Sequence, residues 1–339
     1  MPFTKDPASL PDLDNLPKVP DMPQGCAWGL FDVDGIKDQL GTLNFLSEEN
    51  TKRAASEEIK TGERIQLDWP LDSLKVPGFG RKPFEHKLVD LGSHADGRPY
   101  LLHTSDEIHI NTQSCSQWDG FKHVAHQATG HYYNGLKHED MYNGKEPLRN
   151  GTHNWCDAGG IAGRGVLVDW LSWYESKNGP GSAPKPYTRH EIPLSEIKET
   201  LKAQGTTLRP ADILLIRSGF VRWHNSATED ESRAHVAEAQ DYIGLEPTEE
   251  VKQWLWDNHF SAVGGDTVAF EAWPPSRESP LILHEWLLSL WGTPIGEMWD
   301  LEKLSEVCKR NQRYTFFLSS APLRVPGGVA SPPNAVAFF

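Results

Sequence analysis

Cysteine is scarce in this chain. The four cysteines, Cys26, Cys115, Cys156 and Cys308, stand far apart and form no C-x-x-C pair, which excludes a zinc knuckle and a disulfide framework and leaves free thiols as the expectation. Long apolar runs are lacking too. The longest, such as residues 165–170 and 280–291, fall short of the roughly 20 residues that a membrane span needs, and the mean hydropathy is −0.53. Positive charge is in deficit, with 33 Lys and Arg against 47 Asp and Glu, a net charge of −14 and a pI near 5.4. No basic run is present to track a phosphate backbone, so nucleic acid is excluded as a partner. Internal repeats of 20 to 50 residues are absent as well, which removes solenoids and propellers. The first residues, Met1 to Asp6, lead into a stretch rich in Pro and Asp that runs to Met22, without an apolar or Arg-rich leader. These features together predict a soluble cytoplasmic protein.

What the chain does contain is 339 residues, 13 tryptophans, 29 glycines and 25 prolines, a composition suited to a compact enzyme with aromatic-lined pockets and many turns. We read residues 1–24 as a Pro-rich arm, or a disordered lead-in, and 25–339 as a single catalytic domain. Ser47 is placed to cap a helix to about Lys60 that stops at Gly62, and residues 64–69 alternate like a strand. A second strand is expected over 107–112 (EIHINT). Residues 163–169 and 212–217 (DILLIR) read as strands buried on both faces. Helices are expected over 195–204, over 248–259 with Thr248 as cap, from Ser279-Pro280 to the stop at Gly292, and over 300–310, with further strands at 260–264 and 314–318. This alternation of strand and helix predicts an α/β domain whose sheet is at least partly parallel.

Polar chemistry gathers between 113 and 126, where the sequence reads QSCSQWDGFKHVAH. If the strand that begins at Glu107 continues, Gln113, Gln117 and Asp119 project from one face and their oxygens converge. Asp119 then supplies the only charge, and His123, one turn along a helix beginning near Gly120, is a candidate general base. In the last third, His284 at the start of the 280–292 helix and Glu297 after the Gly292 stop are able to meet across a helix-turn-strand hairpin. Asp119, His284 and Glu297 would form a set of one imidazole and two carboxylates suited to zinc or manganese with a position left for water. Plainer readings of the same residues stay open. The two Gln side chains suit an edge strand, Asp119-Gly120 a turn, His284 a hydrogen-bonded core position, and Glu297 a surface ion pair; His126 and His131 have no partner that singles them out.

The spacing Gln113-x-x-x-Gln117-x-Asp119-x-x-x-His123 resembles the Q-x-x-x-Q-x-D-x-x-x-H signature of trans-dienelactone hydrolase, a branch of the cyclase-like family that includes bacterial kynurenine formamidase and isatin hydrolase. Trp28-Gly29, residues 40–44 (LGTLN), Tyr133-Asn134-Gly135, residues 163–169, residues 213–218, and His284 with Glu297 resemble that family's landmarks in the same order. The better-known branch carries H-x-G-T-H-x-D-x-P-x-H. Against it, Gln113 and Gln117 replace histidines, Cys115 replaces Gly, Ser116 replaces Thr and Phe121 replaces Pro, whereas Asp119 and His123 are retained. Amide oxygens bind a borderline metal more weakly than imidazole does. The resemblance therefore implies one divalent metal, zinc first and manganese second, held by Asp119, His284 and Glu297, with Gln117 and Gln113 completing the shell, orienting water or steadying an oxyanion.

The resemblance further implies a swivelling β/β/α domain, a mixed sheet with flanking helices, in a homodimer or larger homo-oligomer whose arm touches the partner. The implied reaction is hydrolysis of a lactone, lactam or formamide-type bond of a small organic acid by metal-activated water, with His123 as the proton acceptor. The alternatives are a metal-dependent cyclase or dehydratase using the same residues, and a metal-free binding protein of the same fold. Arg164 and Arg217 lie nearest the family landmarks and are candidates to hold a substrate carboxylate, or else ion pairs at strand ends. Trp118, Tyr132, Tyr133 and Trp273 are candidate pocket walls or core residues.

Overall fold

The computed structural model describes residues 6–92, 103–142, 144–276 and 281–339. Among the described residues a nine-stranded sheet forms the centre. Its strands are β1 (Arg64–Gln66), β2 (Gln117–Asp119), β3 (Ile161–Val168), β4 (Ile213–Ile216), β5 (Ala262–Gly265), β6 (Ile295–Glu297), β7 (Thr315–Ser320), β8 (Ala330–Ser331) and β9 (Ala335–Phe338). They lie in the order β1-β9-β7-β3-β4-β5-β6-β2-β8. The middle four, β3 to β6, are mutually parallel, and antiparallel strands extend the sheet on both sides. This is the mixed sheet with flanking helices that the sequence predicts.

The middle strands read as unbroken apolar runs because both of their faces are covered, and successive side chains enter opposite cores. Val166, Val168, Leu214, Ile216, Val263 and Ile295 belong to one core. Leu167, Ile213, Leu215 and Ala262 belong to the other. The first core is closed by α2 (Trp170–Asn178), α3 (Leu194–Ala203), α4 (Glu249–Asp257) and α5 (Glu285–Trp291), through residues such as Leu171, Ile197, Leu255 and Leu288. The second is closed by α6 (Glu302–Asn311) through Leu304, Val307 and Cys308. Helix α1 (Glu48–Glu58) carries the predicted Ser47 cap, and α4 the predicted Thr248 cap.

Several local expectations are corrected. Helix α1 ends on extended Ile59 rather than at Gly62. Helix α3 begins at Leu194, one residue earlier than expected, with Pro193 at its cap. The strand near 107 is displaced to Thr104–His109, where it pairs with Glu85–Asp90 in an exposed ribbon and stops before Gln113. Of the 279–292 helix, Ser279 and Pro280 lie outside the described residues, and the helical turns around α5 begin at Leu283. The arm is ordered from Asp6 onward, whereas Met1 to Lys5 lie outside the described residues. Leu10, Leu13, Leu16 and Met22 are buried, the Leu13 N–H donates to Asp257 Oδ1 at 2.8 Å and Trp256 Nε1 donates to the Pro11 carbonyl at 3.0 Å. The arm therefore packs on α4 of its own chain, because each buried leucine contributes about 1.5–3 kcal/mol that a free lead-in would forgo.

The landmark segments fasten α5 in place. Gly292 ends that helix in the left-handed region, at φ +69°, and a Cβ there would sit 2.8 Å from the Tyr133 ring, so the position tolerates only glycine. The Thr42 N–H donates to the Gly292 carbonyl at 2.9 Å. Tyr133 in turn donates to Asp38 at 2.9 Å, and Asn134 accepts from the Gly29 N–H at 3.1 Å. Thr42 and Tyr133 thus hold the C-terminal end of α5, the helix that His284 immediately precedes.

Candidate metal centre

Strands β2 and β6 pair antiparallel with Gln117 directly opposite Glu297 and Asp119 opposite Ile295. Because side chains alternate along a strand, Gln117, Asp119 and Glu297 share one face of the sheet. His284 reaches the same point from the start of α5, as the helix-turn-strand reading of 284–297 requires. One ligand atom from each of Asp119, His284 and Glu297 lies within 4.8 Å of the others, and all three residues are buried. His284 Nε2 is 3.0 Å from Glu297 Oε1 and 4.0 Å from Asp119 Oδ2. Donors bound at about 2.0–2.1 Å in a tetrahedral shell stand roughly 3.3 Å apart, so the spacing suits a single small divalent ion.

The hydrogen bonding carries the same message. Asp119 is 0% exposed; its Oδ1 accepts from Gln113 Nε2 at 2.7 Å, whereas Oδ2 has no partner, and neither does Gln117 Oε1. Gln117 Nε2 donates to Glu297 Oε2 at 2.7 Å. A buried polar oxygen without a donor is costly, and one carboxylate and one amide oxygen of that kind beside an imidazole and a second carboxylate form a donor set that a cation satisfies. The two glutamines thus direct amide N–H groups at the carboxylates, orienting them and leaving one oxygen of Asp119 bare. Gln113 does this from a turn, where its N–H donates to Asn111 Oδ1 at 3.0 Å, and not from the continued strand that the sequence suggested.

Glu271 is the residue that sequence reasoning missed. Its Oε2 lies 2.6 Å from His284 Nδ1 and its Oε1 accepts the His284 backbone N–H at 3.2 Å. A carboxylate on Nδ1 holds that nitrogen protonated and turns the Nε2 lone pair toward the site, the arrangement common to histidine ligands of metals. No spacing signal marks it, since Glu271 precedes His284 through a loop and four residues outside the described set. Burial works against charge on His284, but Glu271 and Glu297 overcome it and hold the imidazole well above the usual histidine range. Burial, with the Asp119 charge adding to it, pushes Glu297 up to about 7 against the pull of His284. Three carboxylates, of Asp119, Glu271 and Glu297, thus surround one imidazole in a buried site, an arrangement that favours positive charge there.

His123 stands at the edge of this cluster, its side chain 24% exposed and Nε2 3.7 Å from Asp119 Oδ2. It sits in a turn, with its N–H bonded to the Gly120 carbonyl at 2.9 Å, and not on the helix expected there. Burial lowers its pKa, partly opposed by Asp119. A cavity of about 600 Å³ opens over the cluster, lined by Gln113, His123, His284 and Glu297 and walled by apolar residues including Phe79, Val268 and Trp273. Trp273 is therefore a wall, as one reading of the sequence had it. Trp118 and Tyr133 are instead fully buried in the core, and Tyr132 bonds His138 at 2.9 Å.

Arg164 and Arg217 take the ion-pair reading. Arg164 holds Asp212 through Nη1 at 2.9 and 2.8 Å and Glu58 through Nε at 3.0 Å. Arg217 grips Glu302 with two N–H groups at 2.7 Å and Asp169 with a third at 2.9 Å. Their donors are spent where the apolar strands end, and neither lines the cavity, so they are corrected as carboxylate anchors. His126 approaches Glu285 at 4.0 Å and the His131 ring lies tilted beside Trp28, centroids 6.0 Å apart; neither joins the centre.

Comparison with known proteins places this arrangement. Residues 51–272 match the model of a family described as "Putative cyclase". A crystal structure described as a novel cyclase superposes with a TM-score of 0.78 over 93% of this chain and 99% of its own, at 27% identity. Isatin hydrolase A from Ralstonia solanacearum superposes with a TM-score of 0.55, at 16% identity, over 81% of this chain and 91% of its own. An isatin hydrolase bound to the product analogue thioisatinate gives 0.55 and 15%, over 84% and 94%. Both isatin hydrolases share the fold with this chain. No curated protein matches it. Among the described residues no helix is long and apolar enough to cross a membrane. Because the family model spans well over half of the sequence, the chain belongs to the cyclase family.

Proposed function

We infer that this protein is a metal-dependent hydrolase that opens a lactone, lactam or formamide-type acyl bond of a small organic acid, within the trans-dienelactone hydrolase branch of its family. Residues 25–339 act as the catalytic unit. The observation that carries the reading is the bare Oδ2 of fully buried Asp119, which together with His284 and Glu297 makes a three-donor set at ligand spacing. The isatin hydrolases, which share the fold, support a ring-opening reaction by their names. The branch is supported by Gln113 and Gln117, which stand where histidines would hold a second ion.

Asp119, His284 and Glu297 would hold one divalent ion, zinc or manganese, with Gln117 Oε1 beside them. A divalent ion so held supplies Lewis acidity, which acidifies water and polarises a carbonyl. The chain's own residues do the rest. Gln113 and Gln117 keep the carboxylates from rotating, and Glu271 keeps His284 in the tautomer with Nε2 free. His123 accepts the proton from the attacking water as its oxygen bonds to the acyl carbon, then returns it to the departing oxygen or nitrogen as the acyl bond breaks. The apolar wall excludes competing water and seats the organic part of the substrate.

Elemental analysis of protein purified without chelator tests this reading, paired with thermal melts before and after chelation and a screen of lactones, lactams and formyl-anilides. About one equivalent of zinc or manganese is expected, with chelation lowering the melting temperature, because a ligand that binds only the folded state stabilises it by mass action. Absence of metal after incubation with each ion, with no chelator effect, rejects the reading in favour of a metal-free binding protein. A second reading, ring closure by the same residues, is supported by the description of the 27%-identical structure as a cyclase; consumption of open-chain acids with no hydrolysis of the closed panel would establish it.

Glu271→Gln separates orientation from ligation. The variant keeps shape and a hydrogen-bonding partner for His284 but removes the negative charge on Nδ1. Its metal affinity, measured by competition with a chromophoric chelator, is expected to fall roughly 10- to 100-fold. An unchanged affinity would show that Glu271 serves only packing.

A further inference from the structure

Among the described residues that line the cavity over the metal centre, Arg81 is the one lysine or arginine. Its guanidinium is held from two sides. Nη1 donates to the Gln113 carbonyl at 2.7 Å, and the group lies over the Phe79 ring at 5.1 Å from the centroid. Among the described residues Arg81 makes no ion pair, unlike Arg164, Arg217 and Arg222. A guanidinium carries five N–H donors in a planar fork, and among the described residues the bond to Gln113 is the one that engages them. The hydrogen bond and the ring fix the direction of the fork in advance, which reduces the ordering that a ligand must impose.

The position relative to the reacting groups matters as much. Gln113 connects the two, its backbone carbonyl on Arg81 and its side chain on Asp119. Val268, Ala269, Trp273 and Ile282 line the same cavity with apolar surface. The pocket therefore combines three chemistries: a cation-binding cluster, an apolar wall and a held anion-binding fork.

Resting on the hydrolase reading for the identity of the reaction, we propose that Arg81 is the specificity-determining residue that binds a carboxylate of the substrate. The substrate class is then an apolar acyl compound, aromatic or unsaturated, that already carries a free carboxylate separate from the bond to be opened. A neutral ring compound lacks the group that Arg81 is set to receive, and binds less well than its carboxylate-bearing analogue.

The test is direct binding to the full chain after chelation, so that no metal competes for the anion. 3-Phenylpropionate and its neutral amide, 3-phenylpropionamide, are titrated into wild-type protein, Arg81→Gln and Arg81→Lys, with melting temperatures recorded for each variant. Wild type is expected to prefer the acid over the amide roughly ten- to hundredfold, the range of a charged hydrogen-bonded pair. Arg81→Gln loses that preference while binding the amide as before, and Arg81→Lys retains part of it, since a point charge replaces the fork. Equal binding of acid and amide by wild type, or a preference that survives in Arg81→Gln, overturns the proposal. Steady-state kinetics on a lactone bearing a carboxylate and on its methyl ester give a second readout. Arg81→Gln should raise KM for the former and leave kcat and the ester nearly unchanged. If the acid preference is present but no member of the panel is turned over, the hydrolase reading fails and the anion site stands.

Discussion

Asp119→Ala is expected to leave the protein without bound metal and without activity. Asp119 contributes charge that no neighbour replaces, because Gln113 and Gln117 are neutral and Glu297 is already engaged by Gln117, His284 and the Phe270 N–H. With the carboxylate gone, one ligand is lost and the remaining two cannot hold a divalent ion against water. Metal content should fall from about one equivalent per chain to near none, and the stabilisation that metal confers by mass action should vanish with it. The substitution also removes the acceptor of the Gln113 amide, which lines the cavity. Asp119→Asn is the companion variant, since it keeps the shape and removes only the charge. Elemental analysis and melts with and without added metal check both. A variant of Asp119 that stays active while free of metal would sink the mechanism.

The second large effect is expected at His123 and has the opposite signature. His123→Ala should retain its metal and its metal-dependent melting temperature, yet lose about 10²- to 10⁴-fold in kcat, the range that a positioned general base contributes. The geometry separates the two roles. His123 Nε2 is 3.7 Å from Asp119 Oδ2, too far for a hydrogen bond, and the side chain borders the cavity where a substrate would lie. It lies outside the set of donors that approach one another within 4.8 Å. Added imidazole should restore part of the rate, because the cavity left by the ring faces the substrate. Loss of metal in His123→Ala would make the residue a ligand instead, and a rate within tenfold of wild type would place the base elsewhere.

Much of this site is legible in one dimension because strands and helix ends impose simple rules. Gln117 and Asp119 share a face since they are two apart on β2, and Glu297 meets them because β6 pairs beside β2. His284 and Glu297 come together through a tight return at Gly292, where glycine with proline two residues on announces a helix end. Other parts were not legible. The strand near 107 was extended too far because alternation in EIHINT says nothing about where a ribbon ends, and Asn111 turns the chain before Gln113. His123 suggested a helix by its i,i+4 spacing to Asp119, and the same spacing is met by a turn.

The sequence by itself determined the strands buried on both faces and the caps at Ser47 and Thr248, because burial periodicity and capping chemistry are local properties, and with the family resemblance it put Asp119, His123, His284 and Glu297 forward as a group. Only the tertiary structure decided which partner each polar side chain takes. It set Glu271 on His284, turned the amides of Gln113 and Gln117 onto carboxylates, and drew Arg164 and Arg217 into ion pairs while leaving Arg81 at the cavity. The physical reason is that a charged side chain pairs with whatever the fold brings within a few ångströms, and those neighbours come from strands and loops far apart in the chain.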